Sequence, residues 1–454
     1  MEGANTGKRK GPAHARGRTL PEGNERRLAD LGKQLPPPGD DELEIIRGLR
    51  SSRRRRRLLV WGTTLVVLAL FAGAIAQWVR PLPSLTLHTV GVRLPGAAPT
   101  FTWPSAGEAA ATVEGIGALG QVRGTQSVPV AGLTDVLTAY VILADHRLSP
   151  GDDGPMIPVT SDTVAAYQAG QASQQSEVPV AAGESLTELQ ALEGLLIDSG
   201  ADMATVLADW DAGSSTAFVT KMNAAALKLG LTSTHITDPT GVDPSTTSTA
   251  EDLVRLGEAA LSVPLLRQIV SLGQTSVPIP MMTSVVYSLN FDLGQDGIDG
   301  IKTGSDSSAQ GCYLVAAQQT VGGKVVTVVG AVLGQPGGSL GPNTAAVDAG
   351  DALVKSVFAA LHSFSVFTPG QKVGEVDAAW GATAPVTVAL PVSVVGWPGL
   401  TVTIAARPAA LHGALPSGAR VGTLHATVGS RSAQVGLRTT GALSAPGVWW
   451  RLTR

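Results

Sequence analysis

The chain has 454 residues, of which 44% are hydrophobic and only 15% charged, so it can form two or three folded units and is not a largely disordered protein. Its single cysteine, Cys312, excludes an intrachain disulfide and a cysteine-rich zinc site. Charge is divided unevenly: residues 1–57 carry 15 Lys/Arg against 8 Asp/Glu, a net of +7, and the remaining 18 Lys/Arg against 28 Asp/Glu give −10.

An uncharged stretch at residues 58–79 predicts one transmembrane helix. Its 22 residues would span about 30 Å as a helix, which is the thickness of the bilayer's hydrocarbon core. Trp61 and Trp78 lie near its two ends, where tryptophan is typical of the membrane interface. The alternative is a cleavable signal peptide, because Ala74-Ile75-Ala76 has the spacing of a cleavage site. The long segment before the stretch favours an uncleaved anchor.

The flanking charge predicts the orientation of this anchor. Five consecutive arginines at 53–57 precede it, and the positive-inside rule keeps that end in the cytoplasm. The protein is therefore expected in the plasma membrane, single-pass, with its C-terminal domains outside. The tail, residues 1–57, is expected to be disordered apart from a short helix at 41–49. Its basic run favours anionic lipid as a partner, and no nucleic acid is expected.

Residues 80–105 are proline-rich and weakly periodic, which predicts a linker before a compact domain at 106–362. Two capping boxes predict helix starts within that domain, one at Ser185-Leu186-Thr187-Glu188 and one at Ser248-Thr249-Ala250-Glu251. A third helix is indicated between them, because apolar residues recur at helical spacing before Gly230: Phe218, Met222, Ala225 and Leu229.

Short apolar runs predict the strands of the same domain. They lie at 325–333 and around Cys312, which we interpret as a small buried hydrophobic residue. Helices in the middle of the domain and strands at its end indicate a sheet covered by helices, closed by a helix at 349–361. A small β-rich domain is expected at 363–454, where strand-like runs recur at 385–390, 400–405, 420–428 and 432–437.

The tripeptide Lys302-Thr303-Gly304 is the first feature that points to chemistry. Penicillin-recognising serine enzymes combine such a strand with a Ser-x-x-Lys at the start of a helix and a Ser-x-Asn loop. Residues three apart on a helix are neighbours, so the lysine amine can take the proton of the serine hydroxyl as its oxygen attacks a carbonyl.

Four segments carry a resemblance to one family. Residues 299–317, 130–143, 195–202 and 222–241 resemble, in order and spacing, the low-molecular-mass D-alanyl-D-alanine carboxypeptidases, peptidase family S11. The resemblance implies an α/β fold: a penicillin-binding, β-lactamase-like transpeptidase domain in which helices cover an antiparallel sheet. The C-terminal β-rich domain resembles the family's second domain more loosely.

Carried over residue by residue, the resemblance implies a degenerate catalytic site. The nucleophile position is Gly132, the lysine position is Asp135 and the asparagine position is Ala201. Glycine has no group that can attack, and losing a serine nucleophile typically costs about 10⁶ in turnover. Asp135 is expected to form an ion pair with Lys302.

The positions that keep the family's residue types are expected to bind substrate. They are Ser199, Lys302, Thr303 and Gly304. We considered Thr134 as a substitute nucleophile, but its helical direction differs from that of Asp135 by about 100° and should turn it away from the pocket. Asp135 could instead activate a water molecule. The seven histidines show no metal spacing, and neither a metal nor a cofactor is expected.

Two classes of function remain open. The first is a membrane-anchored pseudoenzyme that binds peptidoglycan stem peptides or a cell-wall synthesis protein. The alternative is an active serine-type D,D-peptidase that uses non-standard catalytic groups.

Overall fold

The computed structural model describes residues 40–81, 86–89, 92–124, 126–173, 175–279 and 282–453. The chain divides into two units, residues 1–81 with 447–454 and residues 82–446. The disorder predicted for most of the basic tail falls on residues 1–39, which lie outside the described residues.

The first unit contains one long helix, α1 (Asp40–Val79), which joins the short helix expected at 41–49 to the apolar stretch. Its segment Arg55–Val79 is long and apolar enough to cross a membrane, and its apolar window contains no buried residue. A short C-terminal helix (Val448–Thr453) belongs to the same unit. There the Arg451 guanidinium lies 5.0 Å from the centroid of the Trp78 ring, within cation–π range.

The second unit is built on a five-stranded antiparallel sheet in the order β11-β12-β13-β3-β4. Its strands are β3 (Glu108–Val113), β4 (Gly117–Val122), β11 (Ile298–Asp306), β12 (Gln310–Val321) and β13 (Lys324–Gln335). Along β12, Cys312 and Leu314 pack in one hydrophobic cluster and Tyr313 and Val315 in another, so both faces of the strand are covered. The predicted fold class is confirmed. Burial raises the pKa of the Cys312 thiol to about 12.

Eight helices of the described residues belong to this domain. They are α2 (Thr134–Asp145), α3 (Ser161–Ala172), α4 (Glu188–Asp198), α5 (Ala201–Ala212), α6 (Ser215–Lys228), α7 (Ala250–Leu261), α8 (Pro264–Val270) and α9 (Pro342–Ala360). The C-terminal helix (Val448–Thr453) is accordingly α10. The helices predicted from the capping boxes, from the apolar spacing before Gly230 and at 349–361 are all present.

Both predicted caps are wrong by one or two residues. Helix α4 is capped by Thr187, whose hydroxyl accepts from the Gln190 backbone N–H, and α7 is capped by Thr249. Ser185 lies two residues before the cap position, at the start of the short strand β7 (Ser185–Thr187), where it pairs with Pro158 of β6 (Met156–Pro158). In each case the threonine follows the serine in sequence and carries the same hydroxyl acceptor, so the pattern alone did not separate them.

Four further short strands lie in the peptidase-like region. β5 (Val128–Pro129) pairs with β8 (Thr247–Ser248), and β9 (Gln274–Ile279) pairs with β10 (Met282–Tyr287).

Seven strands lie within residues 362–439, where the composition predicts a β-rich domain. They are β14 (His362–Phe367), β15 (Lys372–Asp377), β16 (Thr383–Val388), β17 (Val392–Gly396), β18 (Thr401–Pro408), β19 (Arg420–Val428) and β20 (Arg431–Thr439). Most of them form a sheet in the order β1-β15-β16-β20-β19-β18-β2, while β14 pairs with β17.

The segment expected to be a linker contributes the two edges of this sheet. β1 (Thr86–Thr89) pairs with β15, and β2 (Val92–Arg93) pairs with β18. Strands of two to four residues carry too little periodicity to be recognised in a proline-rich sequence. Their pairing partners also lie more than 280 residues further along the chain, so no local pattern indicates the pairing. The segment therefore returns to the C-terminal sheet before the chain enters the peptidase-like domain.

Candidate active-site cleft

The strand β11 carries Lys302 at an edge of the five-stranded sheet. Lys302 is only 3% exposed, and its ammonium contacts two groups, the Ser199 hydroxyl and the Asp135 carboxylate. Gly304, two residues further along β11, packs closely against the turn at the start of α2. A Cβ on Gly304 would lie 2.9 Å from the Gly132 backbone nitrogen, so a larger residue would push the strand away from the start of α2.

The turn that precedes α2 holds Gly132. Ala131–Leu133 form a single 3₁₀ turn that continues directly into α2, and Gly132 is half-buried. A Cβ on Gly132 would lie 3.5 Å from Asp135 Oδ2, 3.7 Å from Ser199 Oγ and 3.7 Å from the Thr303 carbonyl oxygen. These are ordinary van der Waals distances. Space for a side chain therefore persists at the nucleophile position, although the chain places no reactive atom there.

A second turn packs against this one from the segment 238–241. Gly241 has a φ of +76°, and a Cβ there would lie 2.1 Å from the Ala131 carbonyl oxygen. The Thr138 hydroxyl donates to the Pro239 carbonyl at 2.9 Å, which ties the turn to α2. The Thr134 hydroxyl is buried and donates to the Ala131 carbonyl at 3.1 Å. Thr134 is thus occupied within its own turn.

The Asp135 and Lys302 side chains form a buried ion pair. Asp135 Oδ2 lies 3.3 Å from Lys302 Nζ, and the two side chains are 3% and 2% exposed. The contact has ion-pair distance without hydrogen-bond alignment, and Asp135 Oδ2 has no hydrogen-bond partner among the described residues. Burial raises the pKa of Asp135 to about 7, Lys302 opposes that rise, and Asp238 adds to it. Bulk water does not reach this carboxylate, which makes it a poor base for a solvent molecule.

The connection between α4 and α5 supplies Ser199 and Ala201. Ser199 ends α4 in the left-handed conformation, with φ +58° and ψ +38°, and its hydroxyl accepts from the Lys302 ammonium. Ala201 begins α5 and offers only a methyl group where the family pattern has an amide. Burial raises the pKa of Asp198, the last residue of α4, to about 6, and the charge of Lys302 opposes this. Asp135 therefore pairs with Lys302, and Asp198 is the residue immediately before Ser199.

Two carboxyl groups beside Ala201 were missed by the sequence reasoning. The Asp202 backbone N–H donates to Glu177 Oε2 at 2.8 Å, and Asp202 Oδ1 accepts from the Val178 backbone N–H at 3.1 Å. Burial, and then the neighbouring Glu177, raise the pKa of Asp202 to about 8. The pair fixes the start of α5. An acidic residue in the first turn of a helix was the available signal, because it favours the positive end of the helix dipole.

The structure thus brings together six of the residues that the motifs singled out: Gly132, Asp135, Ser199, Lys302, Thr303 and Gly304. Ala201 follows two residues after Ser199, at the start of α5. Within the described ranges, no group of three or more histidine, cysteine, aspartate or glutamate side chains is arranged to hold a metal ion.

Comparison with known proteins identifies the family. The profile of the D-alanyl-D-alanine carboxypeptidases matches residues 119–335. A D-alanyl-D-alanine carboxypeptidase of a Streptomyces species is 31% identical over 214 residues, which are 44% of this chain and 70% of that protein. The chain belongs to the D-alanyl-D-alanine carboxypeptidase family. A second family member, from Mycobacterium tuberculosis, is 39% identical over 146 residues, 32% of this chain and 46% of that protein.

Solved structures agree with this family assignment. A penicillin-binding protein homologue from Mycobacterium tuberculosis has a TM-score of 0.50 at 29% identity and covers 59% of this chain and 96% of its own. The D-alanyl-D-alanine carboxypeptidase DacD of Francisella tularensis has a TM-score of 0.53 at 16% identity, covering 77% of this chain and 96% of its own, and shares the fold.

Proposed function

We propose that this chain is a membrane-anchored, catalytically inactive member of the D-alanyl-D-alanine carboxypeptidase family that binds peptidoglycan stem peptides in its cleft. One observation carries the proposal. The buried Asp135–Lys302 ion pair lies beside Gly132, at the place where the family pattern has a serine and a lysine.

The loss of chemistry follows from what acyl transfer requires. A covalent intermediate needs an oxygen nucleophile and a group that takes its proton. Gly132 supplies no oxygen. Lys302 donates to the Ser199 hydroxyl and is paired with Asp135, so its amine is engaged by two groups of the protein itself. We therefore do not expect Ser199 to act as a substitute nucleophile.

The choice of ligand rests on the residues that are kept. Ser199, Lys302, Thr303 and Gly304 keep the family's types, and the relatives are named for D-alanyl-D-alanine. We expect such a cleft to bind a peptide without catalysing a reaction, because the edge of β11 and the Ser199 hydroxyl still offer hydrogen bonds. We propose that the ligand is the D-alanyl-D-alanine end of a stem peptide, with a cell-wall synthesis protein as the ligand in its place if the peptide does not bind.

The location we propose is the extracytoplasmic face of a bacterial plasma membrane, with the N-terminus in the cytoplasm. Arg55–Val79 supports this as an apolar helix, and the arginines before it support the orientation. N-terminal sequencing of the mature protein checks the anchor. We expect the N-terminal segment to be retained, and a mature protein that begins near Gln77 would contradict the proposal.

The function is tested with the full chain in detergent and a pentapeptide that ends in D-alanyl-D-alanine. We expect calorimetry to detect binding and an enzyme-coupled assay to detect no released D-alanine. The Lys302→Ala variant should lose binding, whereas Lys355→Ala, which removes an exposed lysine on α9, should keep it. Release of D-alanine that disappears in Ser199→Ala would establish the active alternative. Absence of binding by both the free-acid pentapeptide and its C-terminal amide would exclude the stem peptide as the ligand.

A further inference from the structure

The charges that surround Lys302 differ from those that a Ser-x-x-Lys motif would provide. Asp135 lies on α2 where that motif has a lysine, which lowers the formal charge of the cleft by two. Asp198, at the end of α4, is close enough for its pKa to respond to Lys302. Lys302 thus contacts the Asp135 carboxylate, and Asp198 is the residue immediately before its other partner, Ser199.

The cation is already engaged by the protein itself. Its ammonium contacts Asp135 Oδ2 at 3.3 Å and the Ser199 hydroxyl, and its side chain is 2% exposed. A ligand carboxylate that reached the Ser199 hydroxyl would approach Lys302 and Asp135 together. It would compete with an existing ion pair, and Asp198, the residue before Ser199, would place a second negative charge near it.

The positions that have lost their side-chain function cannot compensate. Gly132 and Ala201 present no hydrogen-bond donor from a side chain. Their surroundings are half-buried, and like charges repel more strongly there than in water because the effective dielectric constant is lower. An amide at the same place carries no charge and can both donate and accept hydrogen bonds.

We infer that this cleft selects peptides whose C-terminal carboxyl group is neutral, as an amide or in a further peptide bond, over peptides with a free C-terminal carboxylate. Asp135 and Asp198 are the residues that determine this specificity. The inference rests on the proposed function and goes beyond it, since the function alone does not say which form of the peptide is bound.

The test uses two probes that differ only at the C-terminus, Nα,Nε-diacetyl-lysyl-D-alanyl-D-alanine as the free acid and as its C-terminal amide, neither of which carries an ammonium group. Binding to the full chain is measured by calorimetry. We expect the amide to bind about tenfold more tightly or better, which corresponds to about 1.4 kcal/mol. In addition, salt should strengthen binding of the free acid and leave the amide nearly unchanged, because screening weakens the repulsion.

Variants assign the effect to residues. Asp198→Asn should lower the ratio of the affinity for the amide to the affinity for the free acid, and Asp135→Asn should lower this ratio further. Asp348→Asn, which changes an exposed carboxylate on α9, is the matched control and should keep the preference. The salt dependence needs no variant, so it remains informative if Asp135→Asn does not fold.

Each outcome is decisive. Equal affinities for the two probes, or tighter binding of the free acid, would overturn the inference and leave the proposed binding function standing. If neither probe binds the wild-type chain, the proposed function fails and the inference fails with it.

Discussion

Restoring the family's residues should restore acylation if the cleft is intact. The change is Gly132→Ser together with Asp135→Lys and Ala201→Asn. A Cβ on Gly132 would meet no atom closer than 3.5 Å, so the serine fits without moving its neighbours. The introduced lysine would stand beside Lys302, because the carboxylate it replaces lies 3.3 Å from Lys302 Nζ.

The second lysine supplies the base that acylation needs. Two ammonium groups about 4 Å apart repel by about 4 kcal/mol at an effective dielectric constant of about 20. That repulsion favours the uncharged form of one of the two lysines. An uncharged amine can take the serine proton.

The assay is a fluorescent penicillin followed by intact mass measurement of the full chain. We expect the triple variant to gain one β-lactam per protein at a rate about tenfold or more above a matched control. The control carries the same changes at 135 and 201 but Gly132→Ala, which adds the Cβ without the oxygen. Equal labelling of both variants would place the adduct elsewhere. Two folded but unlabelled variants would refute the reasoning that the cleft is intact.

Three further outcomes are expected. Gly241→Ala should lower the free energy of unfolding by at least about 2 kcal/mol more than Gly230→Ala in chemical denaturation, because both have a positive φ but only Gly241 would place its Cβ 2.1 Å from a carbonyl oxygen. The melting temperature should fall as pH rises from 6 to 8.5, because burial raises the pKa of Asp202 from 3.8 to about 8 and the folded state therefore binds a proton that the unfolded state has lost. Asp202→Asn should reduce the slope of melting temperature against pH. An unchanged slope would contradict the role given to Asp202. Limited proteolysis should cut within residues 362–372 if the β-rich domain folds independently, whereas resistance there with a single melting transition would indicate one cooperative unit.

Much of the fold could be predicted from the sequence because local patterns agree with the final packing. The strands β12 and β13 are apolar runs buried on both faces, and β19 (Arg420–Val428) has the bounds that its run of alternating residues indicates. Long-range pairing was not predictable. β1 and β2 join a sheet whose other strands lie far along the chain, and nothing in their few residues indicates that partner.

The candidate site, like the fold, could be predicted from the sequence only in part. The motif spacing predicts that Gly132, Asp135 and Lys302 are neighbours, because a helix start and a strand edge fix their positions. The carboxyl groups of Asp198 and Asp202 were not predicted, since their effect depends on burial and on neighbours such as Glu177. Sequence motifs report the residues that perform a reaction, whereas the surrounding charge depends on the packing of segments that are distant in sequence.

The central claim is that the wild-type cleft performs no acyl transfer, and labelling of the unmodified chain tests it most directly. The full-length protein is incubated with a fluorescent penicillin, and its intact mass is measured. We expect the protein to keep its mass and to show no fluorescent band. Stoichiometric addition of one β-lactam, mapped by peptide mass to a single residue such as Ser199, would contradict it.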